Sequence, residues 1–138
     1  MSSCRILTIF LAFAFLFHTA SVAAPTKAKW IWDAKGDRPN VPLYFTKTVD
    51  LSSAPKAAKI IFTCDNSSTV FVNGKSVGSS ENWNAAVSAD VKKLLKKGAN
   101  IIAVIAQNSG STAGFVLQLE VDQADSQKVV FVTDDSWR

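Results

Sequence analysis

The sequence predicts an all-β protein built as an antiparallel β-sandwich or barrel. Short apolar or alternating segments recur along the chain, and clusters of Gly, Asn, Asp and Ser separate them about every ten residues. A helical pattern is confined to one short segment, residues 90–98. Many short strands with almost no helix are typical of two packed sheets.

The first residues have the layout of a secretory signal peptide. Arg5 precedes an apolar run over 6–17, and the small residues Ser21 and Ala23 follow it. The run is shorter than the about 20 apolar residues that a membrane-spanning helix needs. We therefore expect residues 1–23 to be a signal peptide cleaved after Ala23, and the protein to be secreted or periplasmic, with no membrane segment afterwards.

The rest of the chain has the length of one domain. We expect 24–29 to be a short leader and 30–138 to be a single folded unit. Only one of the 15 basic residues precedes residue 24, so a small positive surplus over the 11 acids remains. It is concentrated in Lys92, Lys93, Lys96 and Lys97. In an exported protein such a cluster is more typical of a solvated face than of a site for nucleic acid or another anionic polymer, so we expect no nucleic-acid partner.

Histidine and cysteine usage excludes several kinds of active site. The single histidine, His18, lies in the predicted signal peptide, as does Cys4. Without histidine, the mature chain can form neither a Ser-His nor a Cys-His pair, nor a His-ligated metal centre. Cys64 is left alone at the end of an apolar strand pattern, where it is predicted to be a small buried apolar residue without a disulfide partner.

The first half of the domain reads as three or four strands. "PLYFTKTVDL" alternates, with Leu43, Phe45, Val49 and Leu51 on one side, and "AAKIIFTC" over 57–64 is apolar enough for a central strand. "TVFVNGKSVG" predicts a hairpin, because Asn73 and Gly74 tolerate the positive φ of a two-residue turn. The aperiodic "ENWNAAVSA" over 81–89 is expected to be a loop.

The second half contains the helical segment and three further strands. "DVKKLLKKG" has a capping Asp90 and a closing Gly98, and it is long enough for a turn or two. "NIIAVIAQN" over 100–108 is predicted to be a strand buried on both faces. The loop "SGSTAG" and the strands "FVLQLEV" and "KVVFV" complete the pattern.

The order of these segments resembles a known family of domains. "KWIW", "YFTKTVDL", "CDNSSTVFVNGKSVG", "DVKKLLKKGANIIAVIAQNSGSTAGFVLQLEV" and "VTDDSWR" together resemble the galactose-binding-like β-sandwich. They are similar to the accessory domains that precede the catalytic part in glycoside hydrolase family 2 enzymes and bacterial α-L-rhamnosidases. The resemblance covers Trp30 to Arg138 and implies a jelly roll of about eight strands with one short helical turn.

The resemblance also implies a function. In the related enzymes this domain binds sugar or braces the catalytic domain, and catalysis lies elsewhere in the chain. It therefore implies a non-enzymatic, carbohydrate-binding accessory module. Because the matching segment in the relatives is followed by more protein, this chain is expected to be a fragment, truncated at its C-terminal end, of a larger glycoside hydrolase-type protein.

Five loop residues are candidates for contacting a sugar. Indole rings stack on the apolar CH faces of sugars, and amides or carboxylates bond the hydroxyl groups. The candidates are Trp83, Asp65, Asn66, Gln107 and Asn108. If sugar binds, Trp83 and Asn108 should be exposed on one rim. Trp30 and Trp32 are expected to be buried against the sheet, and Trp137 to pack.

Three other interpretations stay open. The domain could be a non-binding brace that packs through an exposed apolar patch. A glycosidase would need two facing carboxylates, for which Asp65 and Glu81 are the nearest pair. Sandwiches of this kind often carry a structural Ca²⁺, and Asp33 and Asp37 in "DAKGD" are its candidate ligands.

Overall fold

A computed structural model describes residues 27–138, so the predicted signal peptide and Cys4 lie outside the described residues. The described chain forms eight strands and one 3₁₀ turn, arranged in two four-stranded antiparallel sheets. This confirms the predicted all-β sandwich. The strands are β1 (Leu43–Leu51), β2 (Pro55–Asp65), β3 (Ser67–Val72), β4 (Lys75–Ser80), β5 (Val87–Asp90), β6 (Gly98–Gln107), β7 (Gly114–Gln123) and β8 (Lys128–Val132).

The hydrophobic core lies between the two sheets. The strand order is β1-β6-β3-β4 in the first sheet and β5-β2-β7-β8 in the second. Phe45 of the first sheet stacks on Phe115 of the second with ring centroids 6.2 Å apart, and Phe62 lies 6.5 Å from Phe115. Aliphatic side chains from the inward faces of both sheets fill the remaining space, including Val49, Leu51, Ile60, Val70, Val72, Ile102, Val104, Leu117, Leu119 and Val121.

Two strand predictions are confirmed in detail. In β1, Phe45, Val49 and Leu51 are buried while the residues between them face outward or lie half-buried, as alternation requires. β2 is a central strand, since it pairs with β5 on one side and β7 on the other.

The prediction that β6 is buried on both faces is wrong. Ile101 and Ile105 are 53% and 41% exposed. Tyr44 of β1, which pairs with Ile105, is 69% exposed. We call Tyr44, Ile101 and Ile105 the outer apolar face of the first sheet. An apolar run indicates burial on both faces only if a second layer covers the strand, and here that face is open to solvent.

The Asn73-Gly74 turn is a structural corner, as predicted. Both residues have positive φ, 50° and 80°. The Asn73 amide nitrogen donates to the carbonyl of Leu94 at 2.7 Å and to Oδ1 of Asn100 at 2.9 Å. Its Oδ1 accepts from the backbone N–H of Ile101 at 2.9 Å. The turn is therefore tied to the start of β6.

The predicted helical segment is a single 3₁₀ turn, Lys92–Leu94. The N-cap is Val91 and not the predicted Asp90, which lies one residue earlier; Oδ1 of Asp90 accepts from the N–H of Lys92 at 2.9 Å. Val91 is fully buried and Leu95 is nearly so, which anchors both ends of the turn in the core. Among residues 27–138 there is no helix with the length and hydrophobicity needed to cross a bilayer.

The segment predicted as a loop over 81–89 contains part of a strand. Residues from Val87 pair with β2, in the register Phe62 with Val87 and Lys59 with Asp90. This pairing depends on a partner far away in the sequence, so the local pattern did not reveal it.

Candidate functional site

One end of the sandwich carries a pocket of about 480 Å³. β2 ends there, β7 begins there, and the β4–β5 loop and the segment before β1 close its sides. Its lining consists of Trp30, Asp65, Trp83, Thr112, Ala113 and Gly114. Two of the five predicted sugar-contacting residues, Trp83 and Asp65, are therefore brought together.

Trp30 forms one wall, although the sequence predicted it to be buried. That prediction is wrong, since the residue is 54% exposed. Its neighbour Ile31 exchanges two backbone hydrogen bonds of 2.9 Å with Phe115, which holds the segment beside the start of β7. Trp32, on the other side of Ile31, is half-buried and lies 5.9 Å from the ring of Phe45.

Gly114 allows Trp30 to lie against the strand. A Cβ atom at residue 114 would be 2.8 Å from Cε3 of Trp30, closer than carbon atoms normally approach. The indole ring therefore rests directly on the backbone at the start of β7. Trp30 and the loop before Gly114 are the pocket residues that the sequence reasoning missed, because they come together only through the Ile31–Phe115 bridge.

Trp83 forms a second wall and is 56% exposed. The buried Thr63 hydroxyl lies 2.9 Å from the carbonyl oxygen of Asn82 and 3.0 Å from that of Trp83. Oδ1 of Asn82 also accepts from the N–H of Asn84 at 3.2 Å. These bonds fix the loop backbone, so the indole is exposed on a held segment.

Asp65 supplies the ionisable group of the pocket lining. It ends β2 and is half-buried. Across residues 27–138, no hydrogen bond or ion pair engages its carboxylate. A half-buried carboxylate without a protein partner is free to accept hydrogen bonds from a ligand. Glu81, the other member of the suggested catalytic pair, is exposed and does not line the pocket.

Asn66, between β2 and β3, and Gln107, the last residue of β6, do not line the pocket. The N–H of Asn66 donates to the carbonyl of Gln107 at 3.2 Å. Oδ1 of Asn66 accepts from the N–H of Ser109 at 2.6 Å, so half of its amide group serves the adjacent loop. Gln107 is exposed at the end of β6.

The sequence predicted that Asn108 would be exposed on the rim of a sugar site. That prediction is wrong, because Asn108 is completely buried. Its amide nitrogen donates to the carbonyls of Asp37 and Ser111, both at 3.2 Å. Its Oδ1 accepts from the N–H of Gly110 at 3.0 Å. The side chain therefore shapes the 108–112 loop, and its polar atoms are used inside the protein.

Of the two predicted calcium ligands, the Asp33 carboxylate has two protein partners. Oδ1 of Asp33 accepts from the N–H of Lys35 at 3.0 Å, and Oδ2 pairs with Arg38 at 2.8 Å. These two interactions, the Lys35 hydrogen bond first, lower the pKa of Asp33. Within 27–138, no group of three or more His, Cys, Asp or Glu side chains is placed to hold a metal ion. Calcium here would have to displace Arg38, and it stays a prediction.

Cys64 and Trp137 have the structural positions that the sequence predicted. Cys64 is fully buried, and burial raises the pKa of its thiol to about 12, which leaves no nucleophilic thiolate at neutral pH. Trp137 packs edge-on against Phe115 with centroids 6.1 Å apart, and its indole nitrogen donates to the carbonyl of Val132 at 3.0 Å.

No protein-family model matches the sequence, and no curated protein is significantly similar to it. Solved structures do match. An α-L-rhamnosidase from Streptomyces avermitilis, crystallised with L-rhamnose, is 27% identical with a TM-score of 0.75, over 80% of this chain and 12% of the enzyme. A lectin from Pleurotus ostreatus in complex with GalNAc is 28% identical with a TM-score of 0.71, over 80% of this chain and 34% of the lectin.

A family 78 rhamnosidase from a Bacillus species is also similar in structure to this chain. It is 26% identical with a TM-score of 0.68, over 84% of this chain and 13% of the enzyme. This chain thus spans only a small part of the enzymes and about a third of the lectin. It has the galactose-binding-like β-sandwich fold of glycoside hydrolase domains, as its sequence predicted.

Proposed function

We propose that the protein is a carbohydrate-binding module whose site is the pocket between Trp30, Trp83 and Asp65. One observation carries the proposal. Two indoles, each more than half exposed, share one pocket with a carboxylate that no described residue engages. Large exposed aromatic rings are costly to leave in water and are common where a ligand covers them.

The chemistry of the pocket suits a sugar ring. The indole faces offer apolar surface for the CH groups, while the Asp65 carboxylate accepts hydrogen bonds from hydroxyl groups. The volume of about 480 Å³ falls in the range of roughly 300–1,000 Å³ that small-ligand sites occupy. Gln107, exposed at the end of β6, does not line the pocket, and we propose it as the source of an additional amide contact.

Two of the similar structures suggest which sugars to test first. The Streptomyces enzyme was crystallised with L-rhamnose and the Pleurotus lectin with GalNAc. Both ligands have a methyl group that an indole face can cover. We propose that this chain binds a monosaccharide unit of one of these kinds, at the end of an oligosaccharide or polysaccharide.

The proposed setting is outside the cytoplasm and beside a catalytic domain. The signal-peptide layout of residues 1–23 supports secretion. The similarity to one domain of much larger rhamnosidases supports an accessory role in a longer glycoside hydrolase-type protein, with the chemistry done elsewhere.

The test is a titration of the protein with L-rhamnose and with GalNAc, in which tryptophan fluorescence and calorimetry measure binding. Trp83→Ala and Asp65→Asn should each weaken binding by roughly tenfold, since each removes about 1–2 kcal/mol of contact. Tyr44→Ala is the matched control, because Tyr44 is 69% exposed but lies outside the pocket. Folded protein that binds neither sugar, or equal losses in all three variants, would contradict the proposal.

A second candidate function is a brace for a catalytic domain. The outer apolar face favours it, because Tyr44, Ile101 and Ile105 leave an apolar strip open to solvent. If the pocket is the functional site, the Ile101→Ser/Ile105→Ser variant should bind sugar like the wild type. If the folded wild type binds no sugar, this face becomes the functional surface.

A further inference from the structure

Five exposed lysines gather at the end of the sandwich opposite the pocket. β3 begins at Ser67 beside the pocket and runs to Val72, so the hairpin after it lies at the far end. β6 runs the opposite way, from Gly98 at the far end to Gln107 beside the pocket. We call the following residues the lysine end: Lys75 of the hairpin, and Lys92, Lys93, Lys96 and Lys97 around the 3₁₀ turn.

Two side-chain amides, that of the exposed Asn73 and that of the buried Asn100, fix the segments that carry these lysines. Asn73 donates to the carbonyl of Leu94 at 2.7 Å, which joins the hairpin to the 3₁₀ turn. Asn100, completely buried, accepts from the N–H of Lys96 at 2.9 Å and donates to its carbonyl at 2.8 Å. The five ammonium groups therefore project from a backbone that is already ordered, so binding would order only the side chains.

The lysine end keeps its positive charge within the part of the chain that the structure describes. None of its five lysines takes part in any of the ion pairs found within residues 27–138. The nearest carboxylates along these segments are Asp90, whose Oδ1 accepts from the N–H of Lys92, and Asp50, which pairs in register with Ala99. A surplus of like charge on one end attracts polyanions and raises their local concentration.

We propose that the lysine end is a second binding surface, which takes an anionic polysaccharide such as a polyuronate. The sequence predicted a solvated face, as is typical of such clusters in exported proteins. The structure adds Lys75 to the cluster and a hydrogen bond that joins the hairpin to the 3₁₀ turn. Lysine presents a compact point charge, which suits single carboxylates spaced along a polymer.

A nucleic acid fits this surface less well. Binding of single strands relies on aromatic rings that stack on bases. The exposed aromatic residues in the described chain are Trp30 and Trp83, at the opposite end, and Tyr44, on the outer apolar face. Nor does the lysine end contain an arginine to bond phosphates or guanine in a forked geometry.

The experiment measures binding of the protein to polygalacturonate by affinity electrophoresis and titration over a series of NaCl concentrations. The test variant carries Lys93→Gln, Lys96→Gln and Lys97→Gln. The control variant loses the same net charge from exposed basic residues elsewhere that form no ion pair within 27–138, through Lys27→Gln, Lys35→Gln and Arg138→Gln. Circular dichroism and melting temperature establish that both variants fold.

We expect the wild type to bind polygalacturonate at low salt and to lose affinity steeply as NaCl is added. The test variant should bind roughly tenfold more weakly and depend less on salt, while the control should change about twofold or less. Equal losses in the two variants, or no binding by the wild type, would overturn the proposal. Tighter binding to duplex DNA than to polygalacturonate at the same salt would overturn the choice of partner.

Discussion

The indole of Trp30 occupies the space that a side chain at Gly114 would need, since a Cβ atom there would lie 2.8 Å from Cε3 of the ring. The contact exists because Ile31 and Phe115 exchange two backbone hydrogen bonds, which bring the segment before β1 against the start of β7. One wall of the pocket thus depends on the absence of a side chain on the opposite strand.

Gly114→Ala should therefore disturb both the pocket and the packing at the start of β7. The added methyl group would push the Trp30 ring off the strand, because the clash is with a ring carbon held near the backbone. We expect weaker sugar binding, by about three- to tenfold, and a loss of stability of about 1–2 kcal/mol. Titration with the sugar and urea denaturation measure the two effects.

A double variant separates this effect from a general weakening of β7. In Trp30→Ala the clash partner is gone, so adding Gly114→Ala should cost no further sugar affinity. If the two substitutions reduce affinity independently, the contact between Trp30 and Gly114 is not what shapes the wall.

Asn100→Ala should destabilise the end of the sandwich away from the pocket. Asn100 is fully buried and bonds the backbone of Lys96 and Gly98 as well as Asn73. Its removal leaves buried N–H and C=O groups without partners, and we expect a loss of about 2–4 kcal/mol from the free energy of unfolding, measured in urea.

Asn84→Ala is the matched control for Asn100. Asn84 is exposed, and only its backbone N–H is engaged. The expected change is within about 0.5 kcal/mol. If Asn100→Ala lowers the free energy of unfolding by no more than this, water replaces the buried amide, and the hydrogen bond between Asn73 and Asn100 contributes little to stability.

The sequence predicted the elements whose signals are local. Alternation in β1 and the Asn73-Gly74 turn depend on neighbouring residues, and the structure confirms both. The failures involve partners far apart in the chain. β5 becomes a strand because β2 pairs with it. The open face of β6 could not be predicted, because the sequence of a strand does not show whether a second layer covers it.

The pocket was predictable to the same extent. Trp83 and Asp65 follow from the rule that polar or aromatic residues in loops mark sites, and they share one pocket. The position of Trp30 in the pocket could not be predicted, because it depends on the backbone bridge between Ile31 and Phe115. Asn108 has the same residue type as a sugar-binding amide, and only the structure shows that its hydrogen bonds are internal.

The thiol of Cys64 should react only when the protein unfolds. Because burial raises its pKa to about 12 from an ordinary value of 9.0, alkylation at pH 8 should leave Cys64 unmodified in the native protein and modify it in urea. Peptide mapping of the alkylated protein identifies the residue. Rapid native labelling would show that β2 opens locally.

The same shift gives a pH dependence. The thiol is protonated in the folded state up to a higher pH than in the unfolded chain, so its contribution to stability is complete below about pH 9 and declines as pH rises toward 12. The measurement is a comparison with Cys64→Ala, which should start less stable and decline less steeply.

Asn108→Ala and Gln107→Ala distinguish a residue that shapes the pocket from one that contacts the sugar. Asn108 is fully buried and bonds Asp37, Gly110 and Ser111, so its loss should cost about 1–3 kcal/mol of stability and also weaken sugar binding, because the adjoining loop leads into the pocket wall. Gln107→Ala, at an exposed position, should leave the urea midpoint unchanged and lower affinity only if its amide reaches the ligand. A stable Asn108→Ala variant with unchanged affinity would mean that the loop keeps its shape without that amide.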